Sequence, residues 1–113
     1  MKQTLGELEQ TVLLSILRLG DDAYGVSIRR EIASCTHRNV APGALYTILE
    51  RLERKAIIEA RNGEPTPERG GRAKRFYKLS HEGRALLTDA QRSFKQLMDG
   101  LNLLEEFYGG LYA

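Results

Sequence analysis

The segment 42–55 has the residue types and the spacing of a helix that could bind nucleic acid. Pro42 stands where a helix would place its first residue, because its ring fixes φ near the helical value and its missing N–H is not needed there. The apolar residues that recur at helical spacing are Leu45, Ile48, Leu49 and Leu52. The remaining surface is small, hydroxyl-bearing and basic, with Pro42, Gly43, Tyr46, Thr47 and Arg51. Such a helix can bury one face in the protein and insert the other into a groove of DNA.

The exposed residues of this helix suggest different contacts. Residues at the start of a recognition helix touch base edges, while basic and hydroxyl side chains reach phosphates. We expect Gly43 to let the backbone approach, Thr47 to contact a base edge and Tyr46 to donate to a phosphate. Arg51 lies one turn further on. The alternative is an ordinary amphipathic helix whose charged residues face only solvent.

A basic loop follows the helix and predicts a second contact. The segments 57–61 and 73–79 are typical of strands, and the stretch between them holds two prolines and three glycines, so it must be a loop. From position 69 to position 78 there are five basic residues and no acidic one. We expect four of them to reach DNA phosphates or the minor groove, namely Arg69, Arg72, Lys74 and Arg75.

Two earlier helices must position these elements. The period of apolar residues predicts helices over 5–19 and 24–35, the first opened by a capping box between Thr4 and Glu7. The inward residues of the second are Val26, Ile28, Ile32 and Ala33. A short polar connection then leads into the Pro-Gly start of the third helix, which is typical of a helix-turn-helix.

A long helix capped by Ser80 is predicted to end the chain. Its apolar residues alternate at spacings of three and four, with Leu87, Ala90, Phe94, Leu97, Leu101, Leu104 and Tyr108. Gly100 lies on this stretch and weakens a helix. The stripe exceeds what so small a domain can cover, so we expect it to form a homodimer interface. The sequence thus divides into a DNA-binding domain over 1–80 and a continuous dimerisation helix over 81–113.

Composition and motifs exclude several other classes of protein. The 113 residues carry a net charge of only +2 and fit one domain. The single cysteine, Cys35, excludes an intrachain disulfide and fits a reducing compartment. No apolar run approaches the roughly 18 residues of a membrane span, and no signal peptide is visible, so we expect a cytoplasmic protein without membrane contact.

Catalysis and metal binding have no support in the sequence. Cys35 and His37 lack the second ligand pair of a zinc site, and we interpret Cys35 as a partly buried residue at a helix end. No nucleotide-binding, nucleophile or metalloprotease motif occurs. We therefore expect neither enzymatic activity nor a cofactor.

At this level the chain resembles the PadR family of bacterial transcriptional regulators over essentially its whole length. The matching segments are Ala-Tyr-Gly at 23–25, Pro-Gly-Ala-Leu-Tyr at 42–46, the stretch 49–58 and the stretch 70–84. The resemblance implies a homodimeric winged helix-turn-helix repressor that binds a palindromic operator through double-stranded DNA contacts. It also implies an interface built from the C-terminal helices and a place in the compact subgroup with a short C-terminus.

The chain departs from the family pattern at three places. Ala41 replaces the serine that commonly precedes Pro-Gly, and an alanine cannot cap a helix. Ala56 replaces a glycine, which would be strained if that position has a positive φ. The chain has no tryptophan, so the drug-binding site of some compact members cannot be carried over, although Phe94, Phe107 and Tyr108 could supply rings.

The sequence therefore predicts a mainly α protein with a small β-hairpin, a winged helix-turn-helix followed by a long helix. Its predicted function is sequence-specific transcriptional regulation as a homodimeric repressor. Two alternatives stay open: a winged-helix module for protein contacts, and a ligand-binding protein without DNA affinity. A small-molecule effector is also left open, as are the operator sequence and the regulated genes.

Overall fold

The computed structural model describes residues 4–65, 73–103 and 105–106. The elements are α1 (Glu7–Leu19), a 3₁₀ turn (Gly20–Asp22), α2 (Gly25–Thr36), α3 (Pro42–Arg54), β1 (Ile58–Asn62), β2 (Arg75–Leu79) and α4 (His81–Met98). The mainly helical fold with one antiparallel hairpin and a long C-terminal helix confirms the predicted fold class. No helix in the described ranges combines the length and apolar character needed to cross a lipid bilayer.

One core joins α1, α2, α3, the hairpin and the start of α4. From α3 it takes the stripe that helical spacing predicted, since Leu45, Leu49 and Leu52 are at most 1% exposed. Val26 of α2 was expected inside, yet it is exposed, because α2 turns this residue away from the core. Ile28 and Ile32 are buried, so the prediction is confirmed for these two residues.

The hairpin is fixed to the helix-turn-helix at its base. β1 and β2 pair antiparallel from Ile58 opposite Leu79 to Asn62 opposite Arg75, so β1 is shifted by one residue from the prediction and β2 is two residues shorter. The other edge of β2 bonds to the start of α2, where the Tyr77 N–H donates to the Ala23 carbonyl at 2.9 Å. The hairpin base therefore cannot rotate freely relative to α2.

The helix ends show which local predictions hold. The capping box between Thr4 and Glu7 is wrong: α1 begins at Glu7, and the Gly6 N–H donates to the Glu9 carboxylate at 2.9 Å. Ala41 gives α3 no side-chain cap, as expected, and Pro42 opens the helix. Ser80 caps α4, because its hydroxyl accepts from the Gly83 N–H at 3.0 Å.

The C-terminal end of α3 explains the departure at Ala56. The Ile57 N–H donates to the Leu52 carbonyl at 2.9 Å and the Ala56 N–H to the Glu53 carbonyl at 2.9 Å. This is the bond pattern of a Schellman motif, which requires a left-handed residue after the helix. Ala56 occupies that position with φ 61°, so the strain expected of an alanine there is present.

The C-terminal helix is shorter than predicted. α4 ends at Met98, and Gly100 has φ 82°, a value that no residue within an α-helix adopts. The predicted stripe is therefore not one helical face, and Leu101 lies beyond α4. Leu104 and Tyr108 lie outside the described residues, as does Phe107.

Leu87 does not belong to an exposed stripe. Its side chain is 3% exposed and packs in the core of its own chain, because the first turns of α4 lie against β2 of the hairpin. It is thus unavailable to a second protomer, contrary to the sequence-based assignment. The free part of α4 begins after this residue.

Candidate nucleic-acid interface

The outer face of α3 presents a row of residues one turn apart. Gly43, Thr47 and Arg51 are all exposed, and the i, i+4, i+8 spacing places them on one line along the helix. The Thr47 hydroxyl donates to the Gly43 carbonyl at 2.9 Å, which leaves its methyl group and its oxygen lone pairs outward. Within the described part of the chain, no carboxylate pairs with Arg51. The row therefore offers an uncompensated positive charge beside small groups.

The neighbouring arginine of the same helix, Arg54, already forms an ion pair within the protein. The Arg54 guanidinium lies 3.5 Å from the Glu50 carboxylate, in the i, i+4 arrangement that the sequence allowed. Both side chains are more than 70% exposed, so this pair contributes little to stability. Of the two neighbouring arginines of α3, Arg51 is the one with a free charge.

Tyr46 lies across the start of α2. A Cβ added at Gly25 would overlap the Tyr46 hydroxyl, so only a glycine lets the ring lie this close. The ring nevertheless remains 51% exposed, with its hydroxyl at the surface between α2 and α3. Sequence reasoning missed Gly25 as a partner of Tyr46, although it stands in the Ala-Tyr-Gly segment.

Cations and aromatic rings alternate at the base of the hairpin. The Lys74 ammonium lies 4.1 Å from the centre of the Tyr24 ring, which meets Phe76 edge to face at 5.6 Å. On the other side of Phe76, the Arg61 guanidinium lies 4.7 Å from the ring centre and donates to the Asp21 carbonyl at 3.3 Å. A ring attracts a cation without neutralising it, so the half-buried Lys74 keeps its full charge. This row was not predicted, because its residues come from three separate segments.

A small groove separates α3 from the hairpin base. Its volume is about 190 Å³, and it is lined by Tyr24, Gly25, Val26, Tyr46, Ala73, Lys74, Arg75 and Tyr77. Burial raises the pKa of the Tyr77 hydroxyl, since a phenolate there would lose its hydration. Tyr77 therefore contributes a neutral phenol to the wall of the groove, which Lys74 and Arg75 also line.

Arg75 is paired within the protein. One of its terminal nitrogens lies 2.7 Å from the Glu53 carboxylate, and the other donates to the Asn62 side-chain oxygen at 3.5 Å. Sequence reasoning assigned Arg75 to phosphate and missed Glu53, because the two are 22 residues apart. The other predicted wing residues, Arg69 and Arg72, lie outside the described residues.

A second surface lies on the far half of α4 and on the residues just after it. Its exposed apolar residues are Phe94, Leu97, Met98 and Leu101, each at least 53% exposed. Ala90 is partly buried and borders the same surface. Beside it, a cleft of about 300 Å³ runs between this helix and the start of α1, where Leu5 and Gln10 line it. We call this set the α4 surface.

Cys35 is exposed at the end of α2, not partly buried as expected. Its sulfur lies 3.4 Å from the Glu31 carboxylate, which also accepts from Arg18 of α1 at 2.9 Å. The Arg18 hydrogen bond lowers the pKa of Glu31, because it stabilises the carboxylate.

Three helices, a hairpin bonded to the start of the second and a further long helix define the class of winged helix-turn-helix proteins. Residues 13–89 match the transcriptional regulator PadR-like family. The chain belongs to this family.

Known relatives cover most of the chain. An uncharacterized protein of Lysinibacillus sphaericus is 30% identical over 103 residues, which is 89% of this chain and 90% of that protein. The transcriptional regulator Rv3488 of Mycobacterium tuberculosis is 31% identical over 77 residues, covering 68% of this chain and 67% of its own. Among solved structures, the PadR-like transcriptional regulator of Bacillus cereus superposes with a TM-score of 0.69 at 21% identity, over 86% of this chain and 89% of its own. That likeness bears on the fold alone.

Proposed function

We propose that this transcriptional regulator is a sequence-specific DNA-binding repressor that acts as a homodimer. The observation that carries the proposal is the row of Gly43, Thr47 and Arg51 on α3, exposed and uncompensated beside the hairpin. Such a role belongs in the cytoplasm, where the chromosome lies.

The row fits the major groove in size and chemistry. The groove admits one α-helix, and eight residues at 1.5 Å rise span about 12 Å of it. Arg51 can bind the O6 and N7 of a guanine with both arms of its guanidinium. Thr47 can offer its methyl to thymine, and Gly43 lets the backbone come close to the bases. Pro42 and Tyr46 then face the flanking phosphates.

The hairpin supplies the flanking contact. Lys74 holds a full charge at its base and is directed to a phosphate next to the groove that α3 occupies. Arg69 and Arg72 stay predictions for the same role, on the backbone or in the adjacent minor groove. Contacts of this kind give affinity and register without sequence information.

The α4 surface is assigned to a second copy of the chain. Several large apolar side chains stand exposed together there, which is uncommon on a monomer. A second copy with the same surface buries both sets at once around a two-fold axis. The resulting dimer would bind the two halves of a palindromic operator.

The test is selection from a random-sequence DNA library, followed by titration of the recovered duplex with matched variants. Arg51→Ala should weaken binding at least about tenfold and relax the base preference at one position in each half-site, since a bidentate base contact is lost. Arg54→Ala removes the same charge from the same helix and should cost less than about threefold.

Two outcomes would contradict the proposal. If the wild-type protein recovers no consensus, the winged helix serves another purpose, such as a protein contact. If both arginine variants lose affinity equally and keep the same base preference, α3 contributes only charge and does not read the sequence.

A further inference from the structure

The ion pair between Glu53 and Arg75 joins the two parts of the proposed DNA-binding surface. Glu53 lies in the last turn of α3, and Arg75 is the first residue of β2. Their side chains are 37% and 48% exposed, so the 2.7 Å contact is partly shielded from solvent. Arg75 also reaches Asn62, its partner across the last rung of the hairpin. One guanidinium thus ties α3, β1 and β2 together.

The position of this contact matters because it lies at the last rung of the hairpin, beyond the part that the core and the Tyr77–Ala23 hydrogen bond hold. A hairpin of two strands is marginally stable by itself, so its direction depends on the contacts at its base. On one face those contacts are the rings of Tyr24 and Phe76. On the opposite face, Tyr77 and Leu79 pack in the core, and the Glu53–Arg75 pair continues this side to the last rung. Lys74 lies immediately beyond this rung, so a change of angle here would displace its ammonium group.

Lys74 and Arg75 are neighbours with different surroundings. Successive side chains of an extended segment point to opposite faces, which sends Lys74 towards the Tyr24 ring and Arg75 towards α3. The ring leaves the charge of Lys74 available to an anion. The carboxylate of Glu53 cancels most of the charge of Arg75.

We propose that Arg75 is a positioning residue which, through Glu53, fixes the angle between α3 and the wing, and that it is not itself a phosphate ligand. The inference rests on the proposed DNA-binding function, because it concerns how that surface is held. Arg75 then acts on DNA only through the placement of the wing, while Lys74 makes the phosphate contact.

The substitution Glu53→Gln separates this role from direct binding, because the two predict opposite signs. If Arg75 is a positioning residue, removing the carboxylate of Glu53 lets the wing change its angle and weakens binding to DNA. If Arg75 binds phosphate, the same change removes a competing negative charge and strengthens binding.

The experiment uses the full chain and the duplex that the wild-type protein selects from a random library, titrated by fluorescence anisotropy at several KCl concentrations. Glu53→Gln and Arg75→Gln should each weaken binding about fivefold, and the double variant should be no weaker than either, since they remove one shared contact. The slope of log affinity against log salt should stay at the wild-type value. Lys74→Gln should reduce that slope by about 0.9, the effect of one lost phosphate contact.

A conservative variant provides a second readout. Arg75→Lys keeps the charge and loses the forked geometry that reaches Glu53 and Asn62 together, so it should bind as weakly as Arg75→Gln. Thermal melts of all variants identify any loss of folding and keep it apart from the loss of DNA affinity.

The proposal is overturned if Glu53→Gln binds DNA as tightly as the wild type or more tightly, or if Arg75→Gln flattens the salt slope by one phosphate contact. A wild-type protein that selects no duplex would instead contradict the proposed function. The positioning role alone would be rejected if the wild type binds the duplex, Arg51→Ala loses that binding and Glu53→Gln keeps it.

Discussion

The α3–hairpin region and the far half of α4 use similar apolar residues to different ends. In α3, Leu45, Leu49 and Leu52 are buried within their own chain, and the charged neighbours Glu53 and Arg75 pair at the edge of the same packing. In α4, Phe94 and Leu97 are 58% and 76% exposed. The apolar side chains of the first region are thus buried within a single protomer.

The difference teaches that a helical apolar stripe does not by itself tell where it is buried. Both helices have alternating spacings of three and four. The stripe of α3 lies where α3 packs against α2 and β1 of its own chain, whereas the stripe of α4 runs past the edge of the core after Leu87. Beyond that point Phe94 and Leu97 stay exposed in the described part of the chain, and we propose that a second copy buries them.

The same substitution in the two regions gives the sharpest comparison. Leu49→Ala should lower the free energy of unfolding by about 3 kcal/mol at every protein concentration, because it opens a cavity in a closed core. Leu97→Ala should leave the monomer nearly unchanged and lower the stability only through association, so its effect should depend on concentration. Urea unfolding at two concentrations a hundredfold apart checks both. Equal, concentration-independent losses would mean that the two regions do not differ in this way.

A charged pair of substitutions tests the α4 surface directly. Leu97→Glu together with Leu101→Glu should weaken self-association about a hundredfold or more, since an interface would have to bury unpaired carboxylates. Light scattering should then show monomers or aggregates. Gln96→Glu adds a charge to an exposed position of the same helix and should leave the oligomeric state unchanged. A well-behaved dimer in the double variant would move the interface elsewhere.

The smallest expected effect concerns the strained end of α3. Ala56→Gly should raise the free energy of unfolding by about 0.5–1 kcal/mol, because glycine adopts the observed φ of 61° without steric cost. Ala44→Gly, inside the same helix, should lower it by about 0.5–1 kcal/mol. Thermal melts of the two variants should therefore shift in opposite directions. If Ala56→Gly lowers the free energy of unfolding, the positive φ of Ala56 is not a source of strain in the folded protein.

The elements of the fold were predictable because their signals are local. The period of apolar residues gave α3 its observed bounds to within a residue, and Pro-Gly marked its start. Ala56 was identified as a strained residue through the family resemblance, because a glycine commonly stands at that position, and its φ of 61° confirms the strain. The capping box at Thr4 failed because a competing cap lay two residues further on, at Gly6 and Glu9.

The candidate site was predictable in part. Gly43, Thr47 and Arg51 follow from the amphipathic pattern, and the structure exposes them together. The partners of Tyr46, Lys74 and Arg75 were not predicted, because each partner lies in another element and the periodicity of the sequence does not indicate it. For Arg75 the omission matters, since a basic residue in a wing looks the same in sequence whether it faces a phosphate or a carboxylate.

By itself, the sequence determined the order of the helices, the hairpin and the buried stripe of α3, because periodicity and backbone preferences act between residues a few positions apart. Only the tertiary structure decided that Leu87 is internal and that Arg75 pairs with Glu53. These outcomes depend on which surfaces meet across 20 or more residues of chain. Contact between distant segments is set by packing and charge in three dimensions, which a linear pattern does not encode.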